Sequence, residues 1–185
     1  LVALIALELF HALQFAAQNR VLQTKVYKDE ATGLPNKNKC EELLNRKDPI
    51  PAEEQVAVCV FDLNNLRTIN NTMGHEKGDE YIRNFAQELR TAAPEDQFVG
   101  RDGGDEFLMI LRGMDYAAVR HCLQQIRHHI LDYSAHHPEM PLSYAVGYGL
   151  STDLEVPTMR ELFREADKHM YIDKNRAKME EADVQ

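Results

Sequence analysis

Three acidic side chains stand at the ends of runs that read as strands. Asp62 closes Gln55 to Asp62 (QVAVCVFD), and Asp105 and Glu106 follow the glycine pair of RDGGDEF, Arg101 to Phe107. The first run is apolar and β-branched over the length of one strand, the pattern of a strand buried on both faces. Paired glycines supply the positive φ of tight hairpin turns. Asp102 to Asp105 is therefore expected to turn between a short strand, Gln97 to Arg101, and a return strand, Glu106 to Leu111. If the first strand lies beside that hairpin, the carboxylates converge at one sheet edge. Hard oxygen ligands at strand ends, with positions open to water and phosphate, describe a Mg²⁺ site serving a nucleotide. Taken singly the signals are weak: an aspartate at a strand end is usually a solvated cap, and a DGGD turn is usually only a turn.

The rest of the chain must supply helices to carry such a sheet. Gly33 and Pro35 break the chain, Lys37 to Lys47 restarts a helix, and Pro49 and Pro51 close it. Asn65 to Asn71 forms a short helix ended by Gly74. Lys77 to Ala92 puts Tyr81, Ile82, Phe85, Ala86 and Leu89 on one face and stops at Pro94. Tyr116 to Tyr133 repeats its apolar residues at helical spacing, and Pro141 to Leu150 reads as another strand. The last helix, Thr158 to about Lys178, turns Leu162, Phe163, Ala166 and Met170 inward and opens with Thr158 and Glu161 at capping-box spacing. A helix-bearing crossover followed by a hairpin predicts an α+β fold of ferredoxin-like type, a mostly antiparallel central sheet flanked by helices.

Composition bounds the function. With 185 residues the chain suits one domain plus an appendage. Its 44% apolar and 28% charged residues are those of a globular protein, which makes disorder, collagen or continuous coiled coil poor readings. The formal charge of −9 disfavours a nucleic-acid binder, because phosphate backbones attract cations. A small phosphorylated ligand needs only a few local cations or a metal and stays open. Cys40, Cys59 and Cys122 lie far apart without a CxxC, which fits core residues in a reducing compartment. The pairs His128-His129 and His136-His137 read as solvated surface.

Leu1 to Ala17 (LVALIALELFHALQFAA) is strongly apolar and helical in pattern, with Glu8, His11 and Gln14 along one side. The helix is expected to run on to Lys28. Three arrangements satisfy it: the cytoplasmic end of a membrane helix, a helix paired with a copy of itself, or a helix packed on its own domain. Its length is at the lower edge of a membrane span and Glu8 is unfavourable in lipid. Because the chain opens on Leu, it is expected to be part of something longer.

At the GGDEF sequence, Gly103 to Phe107, the chain resembles the GGDEF-domain diguanylate cyclases. The resemblance runs from Asp29 onward. Asp29 to Lys37 is similar to the family's D-x-x-T-G-L-P-N-R, with Lys in the last position. Phe61 to Asp79 (FDLNNLRTINNTMGHEKGD) resembles F-D-x-D-x-F-K-x-I-N-D-x-x-G-H-x-x-G-D, and Ala166 to Lys178 resembles A-D-x-A-M-Y-x-A-K-x-x-G-R. Ser143 to Gly147 matches the family's S-x-G-x-A strand only loosely. The resemblance divides the chain into a signalling or dimerisation helix, 1–28, and a cyclase domain, 29–185.

The resemblance implies a palm-like nucleotide-cyclase fold that condenses two GTP into cyclic di-GMP with release of two pyrophosphates. It implies Asp62, Asp105 and the Leu63 carbonyl as ligands of Mg²⁺, with Mn²⁺ as substitute. Glu106 is the second acid, activating the attacking hydroxyl or holding metal. Gly103 and Gly104 would admit the phosphates, Asn70 and Asp79 would read guanine, and Lys174, Lys178 and Arg67 would hold the triphosphate. Catalysis would need a homodimer of domains, cytoplasmic and with a membrane tether ahead of this segment as one arrangement. His75, Met170 and Tyr171 are expected to be structural, the last two in the core.

Several positions depart from the family. Asn64 and Asn71 replace aspartates outside the metal shell. Asp102 would add negative charge beside the metal, Asp173 could weaken the cation cluster, and Ala177-Lys178 replaces Gly-Arg. The family's inhibitory product motif, R-x-x-D, has Pro94 and Gln97 at its positions, so no inhibitory product site is expected. Two other readings compete with an active cyclase: a catalytically silent nucleotide-binding domain that regulates a partner, and a cyclase making a mixed GMP–AMP dinucleotide. The retained acids oppose the first and Asp79 the second.

Overall fold

The computed structural model describes residues 8–15 and 26–182. Its centre is a four-stranded antiparallel sheet in the order β2-β3-β1-β4. The strands are β1 (Val56–Leu63), β2 (Phe98–Arg101), β3 (Glu106–Arg112) and β4 (Tyr144–Leu150). The helices are α1 (Lys37–Leu44), α2 (Leu66–Met73), α3 (His75–Ala92), α4 (Tyr116–His136) and α5 (Met159–Ala182). β1 and β3 are the two inner strands, and all residues of β1 are buried, as its continuous apolar run required. The crossover from β1 through α2 and α3 lands β2 beyond β3, and the β2–β3 hairpin fills the gap. This is the expected α+β arrangement.

Side chains alternate across β1 into two cores. Ala57, Cys59, Phe61 and Leu63 meet Tyr81, Phe85 and Leu89 of α3 and Ile126 and Ile130 of α4. Val56, Val58 and Val60 face the other way, toward Cys40 and Leu44 of α1 and Leu162, Ala166 and Met170 of α5. All three cysteines are free and buried, as expected of core residues. Thr158 and Glu161 form the expected capping box: the Glu161 amide donates to Thr158 Oγ1 at 3.3 Å, and the Thr158 amide donates to Glu161 Oε2 at 3.1 Å.

The seating of α5 on β4 has a cause that the sequence reading did not use. A Cβ on Gly147 would lie 2.1 Å from the Ala166 carbonyl oxygen and the Met170 amide nitrogen, and one on Gly149 would lie 2.3 Å from the Leu162 carbonyl oxygen. Helix backbone therefore rests directly on strand backbone. Two α5 side chains also take up main-chain groups of the edge strand: the Val146 amide donates to Asp173 Oδ2 at 3.1 Å, and His169 Nδ1 donates to the Tyr148 carbonyl at 2.8 Å. This blunts an edge that would otherwise be open to pairing.

Three local expectations differ from the structure. β4 begins at Tyr144 rather than Pro141, because Ser143 is engaged across the fold, its amide donating to Tyr81 Oη at 2.9 Å and its carbonyl accepting from the Asn64 amide at 2.9 Å. Tyr171 is 63% exposed, since Met170 takes the inward position on that turn of α5. His75, expected to cap or pack, is the exposed first residue of α3, which leaves the helix end rather than the core as its place.

The segment 8–15 is helical, and its Leu9, Phe10, Leu13 and Phe15 are exposed. The rest of the expected amino-terminal helix, 1–7 and 16–25, lies outside the described residues. Among the described residues no helix is long and apolar enough to cross a membrane.

Candidate active site

The β1–β3 register sets Asp62 opposite Glu106, and the β1–β4 register sets it opposite Ala145. One residue on, the Leu63 amide donates to the Asp105 carbonyl at 2.9 Å. All three acids therefore gather where β1 ends and the β2–β3 turn enters β3. Asp62 is 7% exposed and continues the face of Val58 and Val60, so it points toward α5. There Lys174 Nζ meets Asp62 Oδ1 at 2.5 Å. Lys174 is one helical turn beyond Met170, so the bare glycines of β4 decide where this lysine lands.

Glu106 titrates above the usual carboxylate range. Burial is the main cause, followed by the negative charges of Asp105, Asp62, Asp102 and Asp167. Such crowding of like charges calls for a cation. Among the described residues no three His, Cys, Asp or Glu side chains stand in metal-holding geometry. The donor set nonetheless fits Mg²⁺, which is commonly held by one or two carboxylates, with phosphates and waters completing its shell. A lysine ammonium occupies one of those carboxylates here.

The turn that carries Asp105 closes differently from the sequence expectation. Among the described residues positive φ at glycine occurs at Gly33, Gly74 and Gly113, so neither Gly103 nor Gly104 uses it. The Asp102 and Gly103 amides both donate to the Glu106 carbonyl, at 2.9 and 3.2 Å, and this wide loop needs no left-handed residue. A Cβ on Gly103 would lie 2.8 Å from Glu106 Oε2, the far end of that side chain, while a Cβ on Gly104 would meet nothing within 4 Å. The space at Gly104 is open to a ligand.

Arg101 braces this loop and was missed as a functional residue. Its Nε donates to the Gly103 carbonyl at 3.1 Å and its Nη2 to the Gly104 carbonyl at 2.8 Å, while Nη1 reaches both oxygens of Asp29 at 3.2 and 3.3 Å. The available signal was that an Arg opens RDGGDEF and an Asp opens DEATGLPN. Burial raises the Asp29 carboxyl, but hydrogen bonds from the Thr32 side chain and backbone and from Arg101 outweigh it, and the group titrates below its ordinary value.

The remaining expected residues occupy α2, α3 and α5. Asn70 is half-buried on α2 against α3, where a Cβ on Gly78 would lie 1.9 Å from Asn70 Oδ1. Gly78 therefore makes the space in which Asn70 sits, a role the sequence reading did not assign. Asp79, the next residue, is exposed, as is Arg67 on α2. Lys178 is on α5, and its side chain lies outside the described residues.

Two of the departures have further neighbours of their own. Asp102 lies against Cys40 of α1, and its carboxyl is raised by burial first and then by the Glu41 charge. Asp173 is occupied by the Val146 amide and by Arg176, the latter at 2.7 Å. Pro94 and Gln97 offer their carbonyls to Arg90.

The family described as diguanylate cyclase, GGDEF domain, matches residues 26–180. An uncharacterized membrane protein of Staphylococcus aureus (strain USA300) is 25% identical over 169 residues, which are 89% of this chain and 47% of that protein. The chain thus spans about half the length of the curated relatives it matches. The coiled coil and GGDEF domain of DgcB from Caulobacter crescentus, in complex with c-di-GMP, superposes with a TM-score of 0.70 at 18% identity, over 94% of this chain and 93% of that one. The GGDEF domain alone of PA1120 (TpbB or YfiN) from Pseudomonas aeruginosa gives 0.65 at 26% identity, over 80% of this chain and 89% of that one. With that family model matching most of its length, this chain belongs to the diguanylate cyclase GGDEF-domain family.

Proposed function

We propose that the domain is an active diguanylate cyclase, condensing two GTP into cyclic di-GMP and two pyrophosphates. The observation that carries this reading is the retention of Asp62, Asp105 and Glu106 at one end of the sheet, with Asp62 opposite Glu106. A domain that only bound nucleotide would have no need of three crowded carboxylates.

In this reading the Asn70 amide and the Asp79 carboxylate hydrogen-bond guanine, the carboxylate accepting from N1–H and N2–H₂. That preference favours GTP over ATP and opposes a mixed product. The triphosphate lies along the main chain at Gly103 and Gly104, with Lys174, Lys178 and Arg67 as its cations. Mg²⁺ or Mn²⁺, held by Asp62, Asp105 and the Leu63 carbonyl, would neutralise charge developing on the phosphates. Glu106, with its raised acid, accepts the proton of the attacking 3′-hydroxyl. The 3′-oxygen then forms its bond to the α-phosphorus as the bond to pyrophosphate breaks.

One domain carries one GTP, so two domains must face each other for each hydroxyl to reach the opposite phosphorus. The exposed apolar side chains of 8–15 suit pairing with a second copy. Residues 1–28 would then set activity by setting the dimer population, on the cytoplasmic side of a membrane to which the longer protein is tethered. Feedback through Pro94 and Gln97 is not expected, since neither side chain is charged. The test is chromatography of the products formed from GTP, ATP and Mg²⁺, at several protein concentrations. Cyclic di-GMP alone, with specific activity rising with concentration, is the expected result.

A further inference from the structure

Asp62 is the most buried acid of the site, and among the described residues Lys174 is its sole side-chain donor. The lysine is itself largely covered, with 27% of its side chain exposed. Its placement follows from backbone contact, because the bare Gly147 and Gly149 let α5 rest directly on β4. A carboxylate taken out of water needs a positive partner close by. The partner present on Asp62 is one of the cations expected to hold the triphosphate.

We infer that Lys174 is the resident counter-ion of Asp62 and competes with the divalent cation for it. This rests on reading the site as the cyclase centre. The cation reaches Asp62 as the ammonium leaves, and the released ammonium is then available to a phosphate oxygen. Metal and nucleotide thereby help each other bind through a single side chain, and the help is equal in both directions. A domain without nucleotide holds its cation weakly although its carboxylates are in place.

The test is Mn²⁺ titration without nucleotide, with free Mn²⁺ read by electron paramagnetic resonance. Lys174→Met is expected to bind Mn²⁺ at least about fivefold more tightly than wild type, the lower end of typical coupling between sites. Lys174→Arg, which keeps a cation on Asp62, is expected to stay near wild type. Arg176→Met, which removes the same charge two residues on, where it pairs with Asp173 rather than Asp62, is also expected to stay near wild type. Should Lys174→Met melt too low to titrate, Lys174→Gln keeps a donor for Asp62 without the charge and is expected to tighten Mn²⁺ in the same direction.

Unchanged or weaker Mn²⁺ binding in both Lys174 variants overturns the inference, as does equal tightening in Arg176→Met. If the wild-type protein still forms cyclic di-GMP in that case, only the counter-ion role falls. If no variant binds Mn²⁺ and no product forms, the reading of the site falls with it.

Discussion

Arg101 ties Asp29 to the GGDEF turn: one guanidinium spans the Asp29 carboxylate and the carbonyls of Gly103 and Gly104. Asp29 follows Lys28 within the segment closed by the Lys28–Pro35 bridge, and the turn carries Asp105. The planar fork fixes three groups at once, which an ammonium cannot do. Arg101→Lys should therefore keep a charge near Asp29 while letting the turn drift. A misplacement of about 1 Å at a reacting centre can lower rate by roughly 10²-fold. A fall in kcat of that order, with a melting temperature close to wild type, is the expected result of steady-state assays and thermal melts.

The same pair sets a pH dependence of stability. Asp29 titrates below its unfolded value, so the folded state gains from its ionised form. That gain is full above the unfolded carboxyl pKa and is lost as pH falls through the lower folded one. Asp29→Asn should be less stable than wild type at pH 7, and the gap should narrow as pH falls below about 4. Urea melts across that range check it, and a gap independent of pH would contradict the ion pair.

Glu106 carries the opposite sign. Its folded pKa is raised, so in the protein without cation its ionisation works against folding, and this cost grows as pH rises past the unfolded carboxyl pKa. Glu106→Gln should abolish activity and yet raise the stability of the cation-free protein at pH 7 by roughly 0.5–2 kcal/mol. Denaturant melts with chelator present measure it.

These relationships were unequally legible in the sequence. The gathering of Asp62, Asp105 and Glu106 followed from a buried strand pattern and a glycine hairpin, since register is forced once each strand has a core face. The bracing by Arg101 and the space Gly78 leaves for Asn70 join elements distant in sequence or on different helices, and no periodicity announces them. Gly147 and Gly149 were read only as part of a strand, whereas each admits a helix backbone. The glycines of the turn were read for their own φ, but neither has a positive φ; Gly103 lies beside the Glu106 side chain and Gly104 opens onto free space.

Gly78→Ala should leave the fold intact, because alanine favours a helix more than glycine by about 1 kcal/mol. Its methyl displaces the Asn70 amide, however, from which it would lie 1.9 Å. The account predicts a raised KM for GTP with a melting temperature at or above wild type. Gly149→Ala is the contrast, since its methyl would press on the Leu162 carbonyl and lift α5; a loss of about 1–3 kcal/mol in stability is expected, together with loss of activity.

The central claim is that the acids at the end of β1 and at the β2–β3 turn make cyclic di-GMP. It is tested most directly by incubating the protein and Asp105→Ala with GTP and Mg²⁺ and resolving the products by chromatography and mass. Asp105 is half-buried at the turn, outside both cores, so its removal should spare the fold. The account predicts cyclic di-GMP from the wild-type protein and a rate lower by roughly 10²-fold or more in the variant, by analogy with loss of a single electrostatic stabiliser. No cyclic dinucleotide from the wild-type protein at any concentration, or a variant within a few-fold of it, would contradict the account.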